Sequence, residues 1–431
     1  MKYSSLSKTL FLFFFMTLIP WASSAQEQGL DDRINEAFTP IANWWGAVIL
    51  HNFPGTSIPT IIILLVGGAL FFTVYFGFVN VRRFPTAVQT VRGKYDELDH
   101  HEAGAPDLAI EGDIKDTIRD ESEEGEVSHF QALATAVSGT VGNGNIAGVA
   151  LAIAVGGPGA TFWMILCGLL GMSTKFVECT LGGRYRDVGE DGTVYGGPMY
   201  YLTKGLKERG MGRFGKFLAV TFAVLCIGAS FGGGNAAQSN QAAMQLVSSF
   251  GMTGGSARTI IGLIMMVFVG FIIIGGIKRI ASVTEKIVPF MAVMYVLACL
   301  YIIGSNFSYV DDAFGMIFTQ AFNPQAGLGG VLGVLITGFR RAAFSNEAGA
   351  GSASIAHAAV KTKYPASEGL VALLEPFIDT VVICTLTALV IIIFNGDSTV
   401  FDYGGVGGKV MIDGVAVEGA GITAEAFSEY I

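Results

Sequence analysis

Charged residues are scarce in this chain. Asp, Glu, Lys and Arg make up 14% of its 431 residues, whereas an average soluble domain carries about 25%. Hydrophobic residues make up 52%, and the mean hydropathy is +0.55. Because a membrane-spanning helix needs about 20 mostly apolar residues, the composition predicts an all-α polytopic membrane protein with about eight spans.

The side chains that build metal sites, disulfides and enzyme active sites are also few. The sequence has five cysteines, all in apolar segments without CxxC or Cys/His spacing: Cys167, Cys179, Cys226, Cys299 and Cys384. They are predicted to be buried packing residues. The basic residues form no stripe for a nucleic-acid partner. The predicted spans show no constellation of His, Asp and Glu, which argues against a membrane-embedded enzyme.

The N-terminal part reads as an export signal followed by a surface helix. Residues 1–25 combine Lys2 and Lys8 with an apolar core and end in small residues, which predicts a signal peptide; an uncleaved first helix is the alternative. Residues 26–57 are then an extracytoplasmic amphipathic segment, with Trp44 and Trp45 at the headgroup level.

Basic residues predict the orientation of the remaining segments. Residues 58–79 form the first predicted span, and Arg82 and Arg83 behind it mark the cytoplasmic side. Residues 80–127 form an acidic cytoplasmic loop, residues 128–395 contain spans two to eight, and residues 396–431 form an extracytoplasmic segment. This arrangement predicts a multi-pass protein of a bacterial inner membrane whose N-terminus is extracytoplasmic.

Glycines and asparagines interrupt the second predicted span. The interruption, residues 138–145, reads SGTVGNGN. Irregular backbone at membrane depth is tolerated where it is buried in protein or lines a wet cavity, and secondary transporters build their sites from such broken helices. A Gly-rich packing face is the alternative. Close packing does not require Asn143 and Asn145, so the pattern favours a binding site.

Other polar residues in apolar segments leave two interpretations open. Gln238 and Asn240 in the fourth span either line a polar pathway or hydrogen-bond across helices. Arg341 and Glu347 are functional candidates because ionisable residues near membrane depth are costly; the alternative is a charge pair that closes the cytoplasmic side.

Five segments carry a family resemblance. They are residues 138–150 (SGTVGNGNIAGVA), 156–164 (GGPGATFWM), 196–201 (GGPMYY), 275–279 (GGIKR) and 344–352 (FSNEAGAGS). In this order they resemble the alanine or glycine:cation symporter family, the sodium:alanine symporters. Thr161 and Ile165 depart from the family pattern, which bears on packing detail more than on membership.

The resemblance implies a LeuT-like inverted-repeat transporter with one extra N-terminal helix, related to the amino acid–polyamine–cation transporters. The eight predicted spans would be that extra helix and the first seven spans of the repeat. The chain is therefore expected to be C-terminally truncated and, as it stands, not to transport.

The resemblance also implies which residues bind the substrate and the ion. Backbone amides of the break would bind the substrate carboxylate, and polar groups of two other spans would complete the pocket: Thr140, Val141, Gly142, Asn143, Gly144, Gln238, Asn240 and Thr337. Carbonyl, Asn and Thr oxygens would hold sodium without a carboxylate, at Gly139, Thr140 and Asn145. Gate residues would be Arg341, Asn346 and Glu347. No other metal and no cofactor is expected.

The implied function is sodium-coupled symport of alanine or glycine by alternating access. The partners are the amino acid, the sodium ion and the lipid bilayer, and the chain is expected to be a monomer. An ion-conducting channel is an alternative, but it predicts identical filter residues from several subunits, whereas the polar breaks here are unequal. A non-transporting fragment of a symporter is the other alternative.

Overall fold

The computed structural model describes residues 30–95, 125–189, 192–252, 256–323, 330–396 and 398–431. Four helices in this part of the chain are long and apolar enough to cross a membrane: Gly159–Arg184, Gly212–Ser249, Gly276–Ser305 and Pro365–Asn395. A bent pair, His129–Thr140 with Gly144–Gly156, makes a fifth if it is one span. The finding agrees with a polytopic membrane protein, and the count of eight spans stays a prediction.

Five helices receive names because the sites lie on them. The bent pair is the broken helix, Gly159–Arg184 the central helix, Gly212–Ser249 the polar helix, Gly330–Asn346 the facing helix, and Pro365–Asn395 the acidic helix. The other helices that the structure describes are Leu30–Ile49, Thr60–Tyr75, Val79–Arg82, Phe84–Val91, Pro198–Glu208, Ala257–Ile273, Gly276–Ser305, Val310–Ala321, Ala353–His357 and Ala420–Tyr430, with 3-10 turns at Phe307–Tyr309 and Val406–Gly408.

The central helix forms the core because small residues allow other helices to approach it closely. It packs against the facing helix, the acidic helix and Thr60–Tyr75. A Cβ on Gly338 of the facing helix would lie 2.5 Å from the carbonyl oxygen of Ala160. A Cβ on Gly168 of the central helix would lie 2.9 Å from Thr380 of the acidic helix. Glycines thus set the helix spacing, as is common in membrane bundles.

One end of the bundle carries Arg184, Arg186, Lys204 and Lys361 and is called the basic end. There the antiparallel strands Asp187–Val188 and Val194–Tyr195 follow the central helix. The Nη1 of Arg186 donates to the carbonyl oxygen of Ala358 at 2.9 Å. The start of the acidic helix meets the central helix here, because a Cβ on Gly183 would lie 3.3 Å from Pro365.

A hairpin and a helix cover the opposite end. The strands Lys409–Ile412 and Val415–Glu418 pair antiparallel, and Ala420–Tyr430 follows them. The hydroxyl of Thr423 donates to the carbonyl oxygen of Ile146 at 3.2 Å. This segment therefore lies directly on the broken helix.

The structure describes only part of the segments predicted for the N-terminal region. Residues 1–25, the predicted signal peptide, lie outside the described residues, as does most of the predicted acidic loop (residues 96–124). Residues 26–57 contain the helix Leu30–Ile49, on which Trp44 and Trp45 are exposed to 60% and 41%. The division of the chain into these segments remains a prediction.

Candidate functional site

The broken helix bends where the sequence places its glycines. Its first part begins with a capping box, in which Ser128 and Gln131 bond each other's backbone amides, and it ends at Thr140. A π-helical stretch, Gly144–Gly148, then leads into Val149–Gly156, and the two parts meet at 50°. At the bend, the backbone N–H of Gly142 donates to Asn145 of the same helix, and the backbone N–H of Asn143 donates to Gln238 of the polar helix.

Asn145 joins the break to the acidic helix. Its Oδ1 accepts the backbone N–H of Gly142 at 2.7 Å, which holds the bend in shape. Its Nδ2 donates to Oδ1 of Asp379 at 2.6 Å and to the backbone oxygen of the same residue at 3.0 Å. Asn145 and Asp379 are both buried. This pair is the centre of the candidate site.

Hydroxyl groups complete the surroundings of the Asp379 carboxylate. Ser345, near the end of the facing helix, donates to Oδ1 at 3.1 Å. Thr380 donates to Oδ2 at 2.7 Å, and Asn346 in turn donates to the Thr380 hydroxyl at 2.9 Å. Cys384 lies beside them, with its sulfur 3.3 Å from Nδ2 of Asn145. The facing and acidic helices thus contribute oxygen atoms to one buried network, and the broken helix contributes the amide nitrogen of Asn145.

No Lys, Arg or His nitrogen pairs with Asp379 in the part of the chain that the structure describes. A buried carboxylate without a cation is costly even when it is hydrogen-bonded. Carboxylate, hydroxyl and amide oxygens are the ligands that hard cations prefer. The arrangement is therefore suited to bind a small cation. The predicted ligand set of carbonyl, Asn and Thr oxygens did not include Asp379, and that set stays a prediction.

Three helices around the break carry π-helical stretches. They are Gly144–Gly148 in the broken helix, Ser230–Ala236 in the polar helix and Phe377–Cys384 in the acidic helix. The π-helical residues of the broken and acidic helices lie in contact. Such stretches are rare and occur often at functional sites, so their coincidence supports this location.

Gln238 of the polar helix meets the break directly. The backbone N–H of Asn143 donates to its Oε1 at 3.1 Å, and Nδ2 of Asn143 donates to its backbone oxygen at 2.8 Å. A Cβ on Gly142 would lie 3.5 Å from Oε1 of Gln238. Asn240, the other residue predicted on this helix, is exposed. The structure thus brings Gln238 to the predicted site and leaves Asn240 at the surface.

The remaining predicted pocket residues lie at different depths. Thr140 is buried with its hydroxyl near the backbone oxygen of Val137 at 3.4 Å, and Val141 packs in an apolar cluster. Gly139 is exposed. Thr337 lies farther along the bundle, where its side chain meets Gly156 and its hydroxyl donates to Gly333. Residues 327–329, which precede the facing helix, lie outside the described part of the chain, and the backbone is helical from Gly330 to Thr337.

Gly144 marks the closest approach of the break to the facing helix. A Cβ there would lie 3.3 Å from the hydroxyl oxygen of Ser345. A larger residue would separate Ser345 from Asp379 or displace the break. Glycine at this position therefore lets the two helices close around the oxygen atoms.

The three predicted gate residues do not form one unit. Arg341 lies beside the break, with Nη1 3.6 Å from the position of a Cβ on Gly148, and its guanidinium is 6.0 Å from the ring centre of Phe344. Asn346 belongs to the network around Asp379. Glu347 has a positive φ of 52° and accepts a hydrogen bond from Ser352 instead of pairing with Arg341.

The prediction that the spans carry no constellation of His, Asp and Glu is wrong. Besides Asp379, the acidic helix carries Glu368 and Glu375, and all three are buried. Their spacing of seven and four residues places them on one helix face. That spacing was a usable sequence signal, hidden by the high hydropathy of the surrounding residues.

A broken helix whose backbone groups face the interior of a membrane bundle is a construction that secondary transporters use for their binding sites. The model of the sodium:alanine symporter family matches residues 46–431 of this sequence. The chain belongs to the sodium:alanine symporter family.

Individual symporters and transporters support the assignment. The chain is 43% identical to the sodium/alanine symporter AgcS of Methanococcus maripaludis over 78% of its own length and 68% of that protein. It is 38% identical to an uncharacterized transporter of Haemophilus influenzae, over 81% of the chain and 67% of the relative. For the amino-acid carrier protein AlsT of Bacillus subtilis the identity is 37%, over 77% and 63%.

Membership settles the class of the protein. The sodium:alanine symporter family is a family of cation-coupled amino acid transporters, not of enzymes, and the apolar helices make this member a multi-pass membrane protein. The chain spans about two thirds of the length of these relatives. Its own substrate and ion sites are therefore the subject of a proposal.

Proposed function

We propose that this member couples sodium to the symport of a small neutral amino acid, alanine or glycine, by alternating access across the bacterial inner membrane. The observation that carries the proposal is the Asp379 carboxylate, which is buried beside the break and pairs with no cation among the described residues. The names of AgcS and the family support sodium and alanine.

The sodium ion would bind where the facing and acidic helices place their oxygen atoms, next to Asn145 of the broken helix. Asp379 supplies the charge, and the hydroxyls of Ser345 and Thr380 supply neutral ligands. Asn145 lies between the carboxylate and the break. Because these groups belong to the broken, facing and acidic helices, a bound ion would draw the three helices together.

The amino acid would bind at the break, where small residues leave room for a short side chain only. Gly142 and Gly144 bring the backbone close to Gln238 and Ser345. In the described conformation the amides of Gly142 and Asn143 donate to side chains of the protein. A substrate carboxylate would replace those partners, which is how substrate binding would change the bend.

Coupling follows if sodium and substrate favour the same conformation, since a ligand shifts an equilibrium only by its difference in affinity between the states. The basic end would face the cytoplasm, because positive residues accumulate on that side. The segment 396–431, which lies on the break at the other end, would then cover the site from outside.

Uptake of radiolabelled alanine by a transport-deficient bacterial strain tests the proposal. The chain would be expressed alone and joined to the C-terminal third of AgcS, in sodium medium and in choline medium. We expect sodium-dependent uptake from at least one form, and loss of that uptake when Asp379→Asn is introduced. Equal uptake in sodium and choline by both forms, or none by either, would contradict the proposal. A channel would instead conduct ions without alanine.

A further inference from the structure

Six ionisable side chains form a buried chain at the basic end, away from the site around Asp379. They come from the broken helix, the central helix, the short helix Ala353–His357 and the acidic helix: His129, Lys175, Glu178, His357, Glu368 and Glu375. The proposed symport does not use them. Burying so many ionisable groups is costly unless they are paired, so these six side chains are candidates for a function of their own.

The two histidines flank one carboxylate. His129 and His357 each place Nδ1 within hydrogen-bonding distance of Glu368, one at each carboxylate oxygen. This contact joins the start of the broken helix, the short helix Ala353–His357 and the start of the acidic helix.

The lysine flanks the other two carboxylates. The Nζ of Lys175 lies 3.0 Å from Oε1 of Glu375 and 3.6 Å from Oε1 of Glu178. Glu178 also accepts the backbone N–H of Gly349 at 3.1 Å. This second contact joins the central helix, the acidic helix and the stretch that follows the facing helix.

A single gap separates the two halves of the chain. Nε2 of His357 and Oε2 of Glu375 lie 3.9 Å apart, and each is buried without a hydrogen-bond partner among the described residues. A neutral His357 that donates from Nδ1 to Glu368 has a lone pair at Nε2. Two acceptors then face each other across the gap. A hydrogen on Nε2 would turn the same pair into a charge-assisted donor and acceptor.

The net charge of the six side chains also favours a proton at the gap between His357 and Glu375. With both histidines neutral, the three carboxylates outnumber the one ammonium group by two. An uncompensated negative charge in a buried cluster is strongly unfavourable. A proton at the gap removes part of this excess at the place where a donor is missing.

A metal ion does not suit the position, because no group of three His, Cys, Asp or Glu side chains converges as metal ligands in the described ranges. Other titratable or charged groups near the six, from every element packed on them, are Cys179 of the central helix, Tyr201 of Pro198–Glu208, Asp379 of the acidic helix and Arg186, which donates to the backbone after the short helix.

We propose that His357 and Glu375 form a buried proton-binding site, in which one proton on Nε2 of His357 joins the short helix Ala353–His357 to the acidic helix. The proton comes from hydronium in the bulk water: an N–H bond forms at Nε2 of His357, one O–H bond of hydronium breaks, and water is released. With it, the six side chains form one continuous ion-paired chain from the broken helix to the central helix. Without the proton, this row of side chains is interrupted between His357 and Glu375. The link between the short helix and the acidic helix at the basic end therefore depends on pH.

Nitrogen-15 NMR of the histidine-labelled chain in lipid tests this site independently of transport. The sequence has five histidines, and loss of a signal in His357→Gln assigns His357. At neutral pH we expect two similar ring-nitrogen shifts for His357, the signature of a ring protonated on both nitrogens. The control His51→Gln removes an exposed histidine and should leave that signature unchanged.

The decisive variant is Glu375→Gln, which removes the negative charge that stabilises the proton on His357 and can present an NH₂ donor to a neutral Nε2 instead. We expect His357 to become neutral at the same pH, with widely split ring-nitrogen shifts. If Glu375→Gln does not fold, raising the pH of the native chain should produce the same split reversibly. A neutral His357 in the native chain at neutral pH, or an unchanged protonated ring in folded Glu375→Gln, would overturn the proposal. Neither result depends on whether sodium or alanine binds.

Discussion

Asp379 is the residue on which the proposed sodium site depends. If sodium binds its carboxylate, sodium should stabilise the folded protein, by about 2.7 kcal/mol when its free concentration is about 100 times the Kd. We expect Asp379→Asn to abolish this stabilisation, because the amide keeps the shape but lacks the charge. The measurement is thermal unfolding of purified protein in sodium and in choline.

The matched control for this prediction is Asp312→Asn, which changes an exposed aspartate on the helix Val310–Ala321. It should keep the full response to sodium. A sodium response that survives in Asp379→Asn would show that the ion binds elsewhere, for example among the backbone carbonyls of the break.

Single residues of the site were predictable to different extents. Asn145 was found because asparagine in an apolar, Gly-rich stretch has no simple packing role, and the structure places it at the centre of the network. Asp379 was missed, because it lies 234 residues away along the chain in a strongly apolar segment. A contact between distant residues depends on how helices pack, which local pattern does not encode.

Helix packing in this protein depends on glycines that face other helices. Gly338 should not tolerate alanine, since its Cβ would lie 2.5 Å from the carbonyl oxygen of Ala160 and 2.7 Å from the Cβ of Trp163. We expect Gly338→Ala to destabilise the protein by about 1–3 kcal/mol, the usual cost of overpacking. Thermal unfolding in detergent measures this.

Gly228 in the polar helix is the matched control, because a Cβ there meets no atom within 4 Å. Gly228→Ala should be neutral or stabilise the helix by up to about 1 kcal/mol. Equal losses for both variants would contradict the prediction, because helix propensity favours alanine at both positions and the close contact that causes a loss exists only at Gly338.

At the level of elements, the long apolar helices and the break were predictable from hydropathy and glycine pattern, and the structure contains them. The π-helical stretches in the polar and acidic helices were not. An extra residue in a helical turn has no sequence signature of its own and is stabilised by tertiary contacts.

The whole molecule has two differently built ends. At one end the hairpin Lys409–Ile412 with Val415–Glu418 and the helix Ala420–Tyr430 lie over the break. At the basic end, buried ion pairs link the broken, central and acidic helices. The two ends can therefore respond to different ligands, the amino acid and sodium near the break and a proton at the basic end, in the account proposed above.

The most direct test of the central claim is equilibrium binding of radiolabelled alanine to the purified chain in sodium and in choline. If sodium and alanine stabilise the same conformation, sodium should raise alanine affinity by about 5–150-fold, the usual range of coupling between two sites. The increase should be absent in Asp379→Asn and present in Asp312→Asn. Alanine binding of equal strength in sodium and choline would contradict the account.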